Sequence, residues 1–336
     1  MTVVGPFGLS VRDQALEADV QTGLAAAEAG LLDATKSEVP FITEAAQHLV
    51  RAGGKRFRPL LVMLAAQFGD PYAPGVVPSA VVVELTHLAT LYHDDVMDEA
   101  DVRRGVASAN ARWGNSVAVL TGDFLFARAS HILADLGPEA VRIQAEAFER
   151  LVTGQILETA GPRDDRDPVD HYLDVIGGKT GSLIAVSGRF GAMMSGADES
   201  VTDILTQYGE RLGVAFQLAD DVLDIASDSH ESGKTPGTDL REGIPTLPVL
   251  RLREQAARHG RAEDLELVEL LEGDLTDDAR HAEALAGLRA HPALEQARRD
   301  TVRYAQEARA LLGPLPGCSA KAALEELCDA VVHRAG

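Results

Sequence analysis

Two short acidic stretches carry the chemistry of this chain. Asp94, Asp95 and Asp98 lie in LYHDDVMDEADVRRG, and Asp220, Asp221 and Asp224 repeat the D-D-x-x-D spacing in FQLADDVLD. On a helix of roughly 100° per residue, Asp94 and Asp98 share a face, with His87 and Thr90 close to the same line. Like charges that close cost free energy unless a cation lies between them, and oxygen-only ligands suit a hard ion such as Mg²⁺. A single acidic motif would read as a solvated helix face. Two copies in one register, each at the C-terminal end of an apolar segment, read as a metal site, provided the fold sets the two helices opposite each other across a cavity. Such a cluster best holds a polyphosphate, whose oxygens fill the coordination sites that the protein leaves open.

Cations for that anion are concentrated in RAGGKRFRP, residues 51–59, where Arg51, Lys55, Arg56 and Arg58 stand without an acid among them. Gly53 and Gly54 let the backbone approach a ligand, Arg forks two hydrogen bonds to phosphate oxygens, and Lys adds a point charge. Arg103 and Arg104 follow the first acidic helix, where they could meet a metal-bound phosphate or pair with Asp98 and Asp101. His87, two turns before Asp94, also suits the anion. Trp113 and the Met193–Met194 pair read as packing.

The elements that must position these residues are helical. Apolar residues recur at helical spacing over 11–35, 41–51, about 59–68, 78–99, 113–136, 138–160, 183–195, 199–226 and 246–258, then 293–312 and 318–334, and nowhere do Val, Ile and Thr alternate long enough for a sheet. Asp167 or Asp170 could cap a helix ending at Gly177–Gly178. Residues 100–105 read as a turn, 260–291 as solvent-facing helices, and 228–245 as an irregular stretch suited to a mobile lid. The expectation is an all-α, single-domain bundle with a central cavity spanning residues 1–336, its C-terminal helices part of the same bundle.

Composition sets further bounds. The chain has 336 residues and a net charge of −21, which argues against nucleic-acid binding through neutralised phosphates. With 46% hydrophobic and only 4% aromatic residues, the core must be aliphatic. Cys318 and Cys328 lack metal-ligand spacing and read as reduced cytoplasmic thiols. The N-terminus carries no signal-peptide pattern, and the apolar runs fall short of a clean span of ~20 residues. The expected protein is soluble, with at most transient membrane contact.

The ordered set GGKRFRP, HDDVMDEADVRRG, GGKTGSL, FQLADDVLD and GKTPGTDLREGIPTLP resembles the trans-isoprenyl diphosphate synthases, or polyprenyl synthetases, over about residues 40–250. That resemblance implies a transferase that condenses isopentenyl diphosphate head-to-tail onto an allylic diphosphate, usually as a homodimer. It implies that the six aspartates bind Mg²⁺, three ions with the diphosphate, and that Lys55, Arg58, His87 and Arg104 hold isopentenyl diphosphate. Arg103, Lys179, Thr180, Gln217 and Lys234 would line the allylic diphosphate and act in catalysis. In the family, bulky residues four or five positions before the first Asp close the product tunnel. Here Thr90 and Ala89 stand there, and a pocket whose depth sets specificity then implies a product of about C35–C50, of the kind attached to quinones. Three other readings differ in stated ways. A class I terpene cyclase has an Asn/Ser/Glu-based second motif, a non-catalytic partner subunit lacks the aspartates, and a C15 or C20 synthase differs only in tunnel depth.

Overall fold

The computed structural model describes residues 13–163, 166–227 and 236–335. These residues are helical almost throughout, as the missing β pattern requires, and the chain divides into two compact units. The first takes in the chain to Glu149 with Leu183–Gly209 and Leu311–Leu327; the second takes in Arg150–Ser182, Glu210–Ala310 and the chain from Cys328.

Helix α1 (Gln14–Ala34) is capped by Asp13, whose carboxylate accepts from the Ala15 and Leu16 amides and, at 2.6 Å, from the Ser319 hydroxyl. Then come α2 (Pro40–Arg51), begun by a proline, and α3 (Phe57–Ala66), which starts two residues before the expected Pro59. α4 (Val76–Met97) ends in the first acidic motif. The turn at 100–105 turns out to carry a small antiparallel pair, β1 (Val102–Arg103) and β2 (Val106–Ala107), followed by α5 (Ala109–Trp113), α6 (Asn115–Leu136) and α7 (Pro138–Ala160). Trp113 packs edge-on against His48 at 5.0 Å, with the Arg112 guanidinium 4.3 Å over its ring.

α4 is the hub of the first unit and packs on α1, α3, α5 and α6. Every residue from Ser79 to Thr86 is buried, including Glu84. A helix that is apolar all round must be central, and each fully buried Val or Leu contributes about 1.5–3 kcal/mol. α6 corrects the sequence reading of apolar runs, because by length and composition it could cross a membrane. Only a third of its apolar window is buried; Leu120 is 65% exposed, and Arg128 donates from Nε to the Ala34 carbonyl at 2.5 Å.

α8 (Pro168–Ile176) is capped by Asp167, which accepts from the Val169 and Asp170 amides, settling the choice between the two aspartates. Where the sequence reading ends a helix at Gly177–Gly178, GGKTG forms a single π-turn, Gly177–Gly181, that continues into α9 (Ser182–Met194); α10 (Glu199–Ala226) follows and carries the second acidic motif. Within the expected irregular stretch lies a short helix, α11 (Thr238–Arg241); residues 228–235, with Lys234, lie outside the described residues. α12 (Leu247–His259), α13 (Ala262–Glu272), α14 (Asp278–Ala290), α15 (Pro292–Leu311) and α16 (Ser319–Ala335) follow. α14 is less solvent-facing than its composition suggests, since His281, Ala284, Leu285 and Leu288 are buried.

Close helix contacts in the first unit rest on glycine. A Cβ on Gly191 would lie 2.3 Å from the Val62 carbonyl oxygen, and one on Gly188 would lie 2.4 Å from that of Leu205. Backbone cannot yield as a side-chain tip can, so Gly191→Ala should destabilise the protein by about 1–3 kcal/mol. Urea unfolding measures this, and an unchanged midpoint would show that α9 and α3 do not approach so closely.

Candidate active site

In the first unit the candidate cations meet at the end of α2, the loop before α3 and the β1–β2 turn. Gly53 (φ 86°), Gly54 (φ 144°) and Arg56 (φ 49°) all adopt left-handed backbone, as does Arg104 (φ 53°) at the hairpin. A Cβ on Gly54 would lie 2.8 Å from the Arg104 Cζ, so this glycine is what lets the guanidinium lie against the backbone. Arg104 donates from Nη1 to the carbonyls of Leu49, at 3.2 Å, and Gly53.

Arg56 departs from its expected role. It forks onto Glu28 through Nε at 2.7 Å and Nη2 at 2.9 Å, and its Nη1 reaches the buried Glu84 at 3.0 Å. It therefore braces the loop and does not present itself to a ligand. Arg58 and Arg104 are left near one carboxylate, Glu84, whose Oε1 is 3.9 Å from the Arg104 Nη2. Burial, offset by Glu84 and reinforced by Arg104, lowers Arg58 to about 10, and its Nε has no hydrogen-bond partner among the described residues. Burial and then the surrounding guanidinium groups hold His87 well below the usual imidazole range, so it is neutral. Lys55 is exposed beside them.

The first acidic motif closes α4, with Asp98 as its C-cap. Carboxylates at the negative end of a helix dipole are unfavourable by on the order of 0.3–1 kcal/mol each, which a cation reverses. Asp98 is exposed, Asp94 half-buried and Asp95 fully buried. Arg103 donates from Nε to Asp95 Oδ1 at 2.5 Å, while Oδ2 has no hydrogen-bond partner among the described residues. Burial keeps the Asp95 carboxyl above its ordinary range despite Arg103. Ala89 is fully buried and Thr90 bonds back to the His87 carbonyl at 2.8 Å.

In the second unit the π-turn sets Lys179 and Thr180. It forms where two glycines pass closely: a Cβ on Gly154 would lie 2.8 Å from the Lys179 amide nitrogen, and one on Gly178 would lie 2.8 Å from the Arg150 carbonyl oxygen. Lys179 pairs with Glu158 at 2.7 Å. Thr180 donates to Gln217 Oε1 at 3.1 Å, Gln217 donates to Asp221 Oδ1 at 2.9 Å, and the Tyr172 hydroxyl donates to Asp221 Oδ2. Arg334 reaches Asp220 at 2.7 Å, and Asp224 accepts from the amides of Thr238 and Asp239 at 3.3 Å each. Burial drives Asp221 up to about 8 against the hydrogen bonds from Tyr172 and Gln217.

Among the described residues, no three His, Cys, Asp or Glu side chains already converge as a metal cage. The donor chemistry nonetheless fits Mg²⁺. All six candidates are carboxylates towards helix C-terminal ends, Asp95 keeps an unbonded buried oxygen among the described residues, and burial with the neighbouring charges of Asp239 and Asp220 holds Asp221 above its usual range. Tyr172, Glu158, Glu84 and Arg334 are site residues that the motifs alone did not indicate. Glu84 had a signal, as the one acid inside the run VVVELTHLAT.

A family model described as polyprenyl synthetase matches residues 39–287. The nonaprenyl diphosphate synthase of Mycobacterium tuberculosis is 47% identical over 330 residues, covering 98% of this chain and 97% of its own. Among solved structures, a geranylgeranyl pyrophosphate synthase from Corynebacterium glutamicum, complexed with calcium and isoprenyl diphosphate, superposes with a TM-score of 0.87 at 45% identity, covering 97% of this chain and 99% of its own. A decaprenyl diphosphate synthase from Rhodobacter capsulatus gives 0.86 at 35%, with 96% and 99% covered.

The raised Asp221 carboxyl has a consequence for stability. A group whose pKa is higher in the folded protein stabilises it fully only below its unfolded value, here near 3.8, and that contribution is lost as pH rises through about 8. In metal-free protein, Asp221→Asn should therefore flatten the fall in thermal midpoint between about pH 5 and pH 8.5. A variant as pH-sensitive as wild type would show that Asp221 is ionised throughout.

Proposed function

The chain belongs to the polyprenyl synthetase family, and from that premise we propose that it is an all-trans prenyltransferase adding isopentenyl diphosphate head-to-tail to allylic diphosphates, to a long-chain product. The observation that carries this reading is the cationic cluster of Arg58, Arg104 and neutral His87 around one carboxylate, beside a helix that ends in aspartates, in a chain of net charge −21. A diphosphate is the anion that would need both groups.

In this reading Asp94, Asp95, Asp98, Asp220, Asp221 and Asp224 hold Mg²⁺, three ions in all, which draws charge from the leaving diphosphate as a Lewis acid. Arg103, Lys179 and Lys234, with Thr180 and Gln217, bind that diphosphate and take up charge as the allylic C–O bond breaks. Lys55, Arg58, Arg104 and His87 bind isopentenyl diphosphate and aim its alkene at the allylic carbon. Aliphatic walls exclude water, so the alkene is the only nucleophile in reach. A new C–C bond forms, and loss of a proton, taken by the departing diphosphate, restores an allylic double bond. Neutral His87 donates a hydrogen bond without a charge of its own.

Buried, small Ala89 and the nonaprenyl and decaprenyl synthase relatives support a long product and a role in supplying quinone side chains. The 45% identity to a geranylgeranyl pyrophosphate synthase favours the C20 alternative. The exposed apolar residues Val119 and Leu120 of α6 support a homodimer. Free thiols at Cys318 and Cys328 support a cytoplasmic enzyme, with membrane contact only as product leaves.

Incubation with Mg²⁺, labelled isopentenyl diphosphate and, separately, C10, C15 or C20 allylic diphosphates should give a ladder ending at about C35–C50, the range a deep pocket admits. A stop at C15 or C20 would establish the short-chain alternative, and no product from any starter would remove the synthase reading. Ala89→Phe should shorten the ladder by several units; an unchanged distribution would place the tunnel floor elsewhere.

A further inference from the structure

Glu84 is a buried carboxylate, 2% exposed, among residues otherwise assigned to holding an anion. Its nearest partner is Arg56, at 3.0 Å, whose guanidinium Glu28 also takes through two oxygens at 2.7 and 2.9 Å. Two carboxylates thus face the one cation Arg56, and the surplus negative charge is felt by the ligand-site cations next nearest Glu84, Arg104 at 3.9 Å and Arg58. Those cations do not depend on it for their place. Arg104, on the β1–β2 turn, is held by the Leu49 and Gly53 carbonyls, and the loop that contains Gly53 and leads to Arg58 is fixed by Arg56 on the Gly53 and Val50 carbonyls. With geometry set by the backbone, Glu84 acts by charge.

The chemistry of a repeating condensation gives that charge a use. After each addition, the diphosphate on the lengthened product is the one that arrived on isopentenyl diphosphate, and it lies among Arg58, Arg104 and Lys55. It must leave them for the aspartates before the next round. We propose that Glu84 is an internal counter-anion that weakens the hold of Arg104 and Arg58 on diphosphate, so that the lengthened product is released from the isopentenyl site and elongation continues. This role rests on the proposed function. It makes Glu84 a tuning residue, since it acts on the cations through charge and does not meet the reacting atoms.

Removing a neighbouring negative charge from a rigid anion site strengthens anion binding. By calorimetry on the full-length protein, Glu84→Gln should bind isopentenyl diphosphate at least about fivefold more tightly than wild type. Its unliganded thermal midpoint should fall, its midpoint should rise more on adding isopentenyl diphosphate, and its product ladder should end at shorter chains. A residue that merely held the fold together would weaken binding or leave it unchanged, and either result overturns the proposal. Should Glu84→Gln not fold, Glu84→Asp keeps the charge but draws it back from Arg104, and about twofold tighter binding is expected, with equal or weaker binding overturning the idea. Wild-type protein that turns over normally beside an unaltered Glu84→Gln variant defeats only the Glu84 role. Wild type inactive with every starter defeats the synthase reading and this role with it.

Discussion

Arg58 and Arg104 lie near one buried carboxylate, Glu84, which Arg56 already reaches at 3.0 Å, while Asp94, Asp95 and Asp98 crowd the negative end of the same helix, α4. Arg103 answers Asp95 at 2.5 Å and Asp98 at 4.0 Å. Burying charge is costly even when it is paired, and the protein bears that cost through an otherwise apolar α4, packed on α1, α3, α5 and α6. The aliphatic helix carries one carboxylate, Glu84, near its middle and three at its end. In the second unit Asp221 shows the same tension, with a carboxyl held near 8 although Tyr172 and Gln217 both donate to it. Divalent cations on the aspartates of either unit would offset that charge, which is how an acidic protein can bind a highly anionic substrate.

Much of this was legible in the sequence because motif chemistry is local. The two D-D-x-x-D turns, the basic loop at 51–59 and the helical periods each announce themselves within a few residues, and the helices lie close to where the periodicity puts them. What could not be read was which charge answers which. Arg56 and Arg58 look alike in GGKRFRP, yet Arg56 is consumed by Glu28 and Glu84, residues far along the chain that only the packing of α1 and α4 brings to it. Arg103, expected to meet a metal-bound phosphate or pair with Asp98 and Asp101, does reach Asp98 at 4.0 Å but grips Asp95 more closely, at 2.5 Å.

Tyr172 illustrates the same limit. In PVDHYLDVI it reads as one apolar position of α8, and only the tertiary fold shows its hydroxyl on Asp221. GGKTG reads as the end of one helix at Gly177–Gly178; here its glycines permit close backbone passage and the wider π-turn that presents Lys179 and Thr180. Backbone approach between separate segments leaves no periodic mark in a sequence.

If the carboxylates at the end of α4 are a metal site completed by diphosphate, binding of the two must be coupled. The most direct measurement is calorimetric titration of Mg²⁺ into metal-free protein, with and without inorganic pyrophosphate, for wild type and Asp94→Asn. Mg²⁺ should bind wild type far more tightly when pyrophosphate is present, and that enhancement should vanish in the variant. Equal Mg²⁺ binding with and without pyrophosphate, or an enhancement that survives Asp94→Asn, would contradict the account.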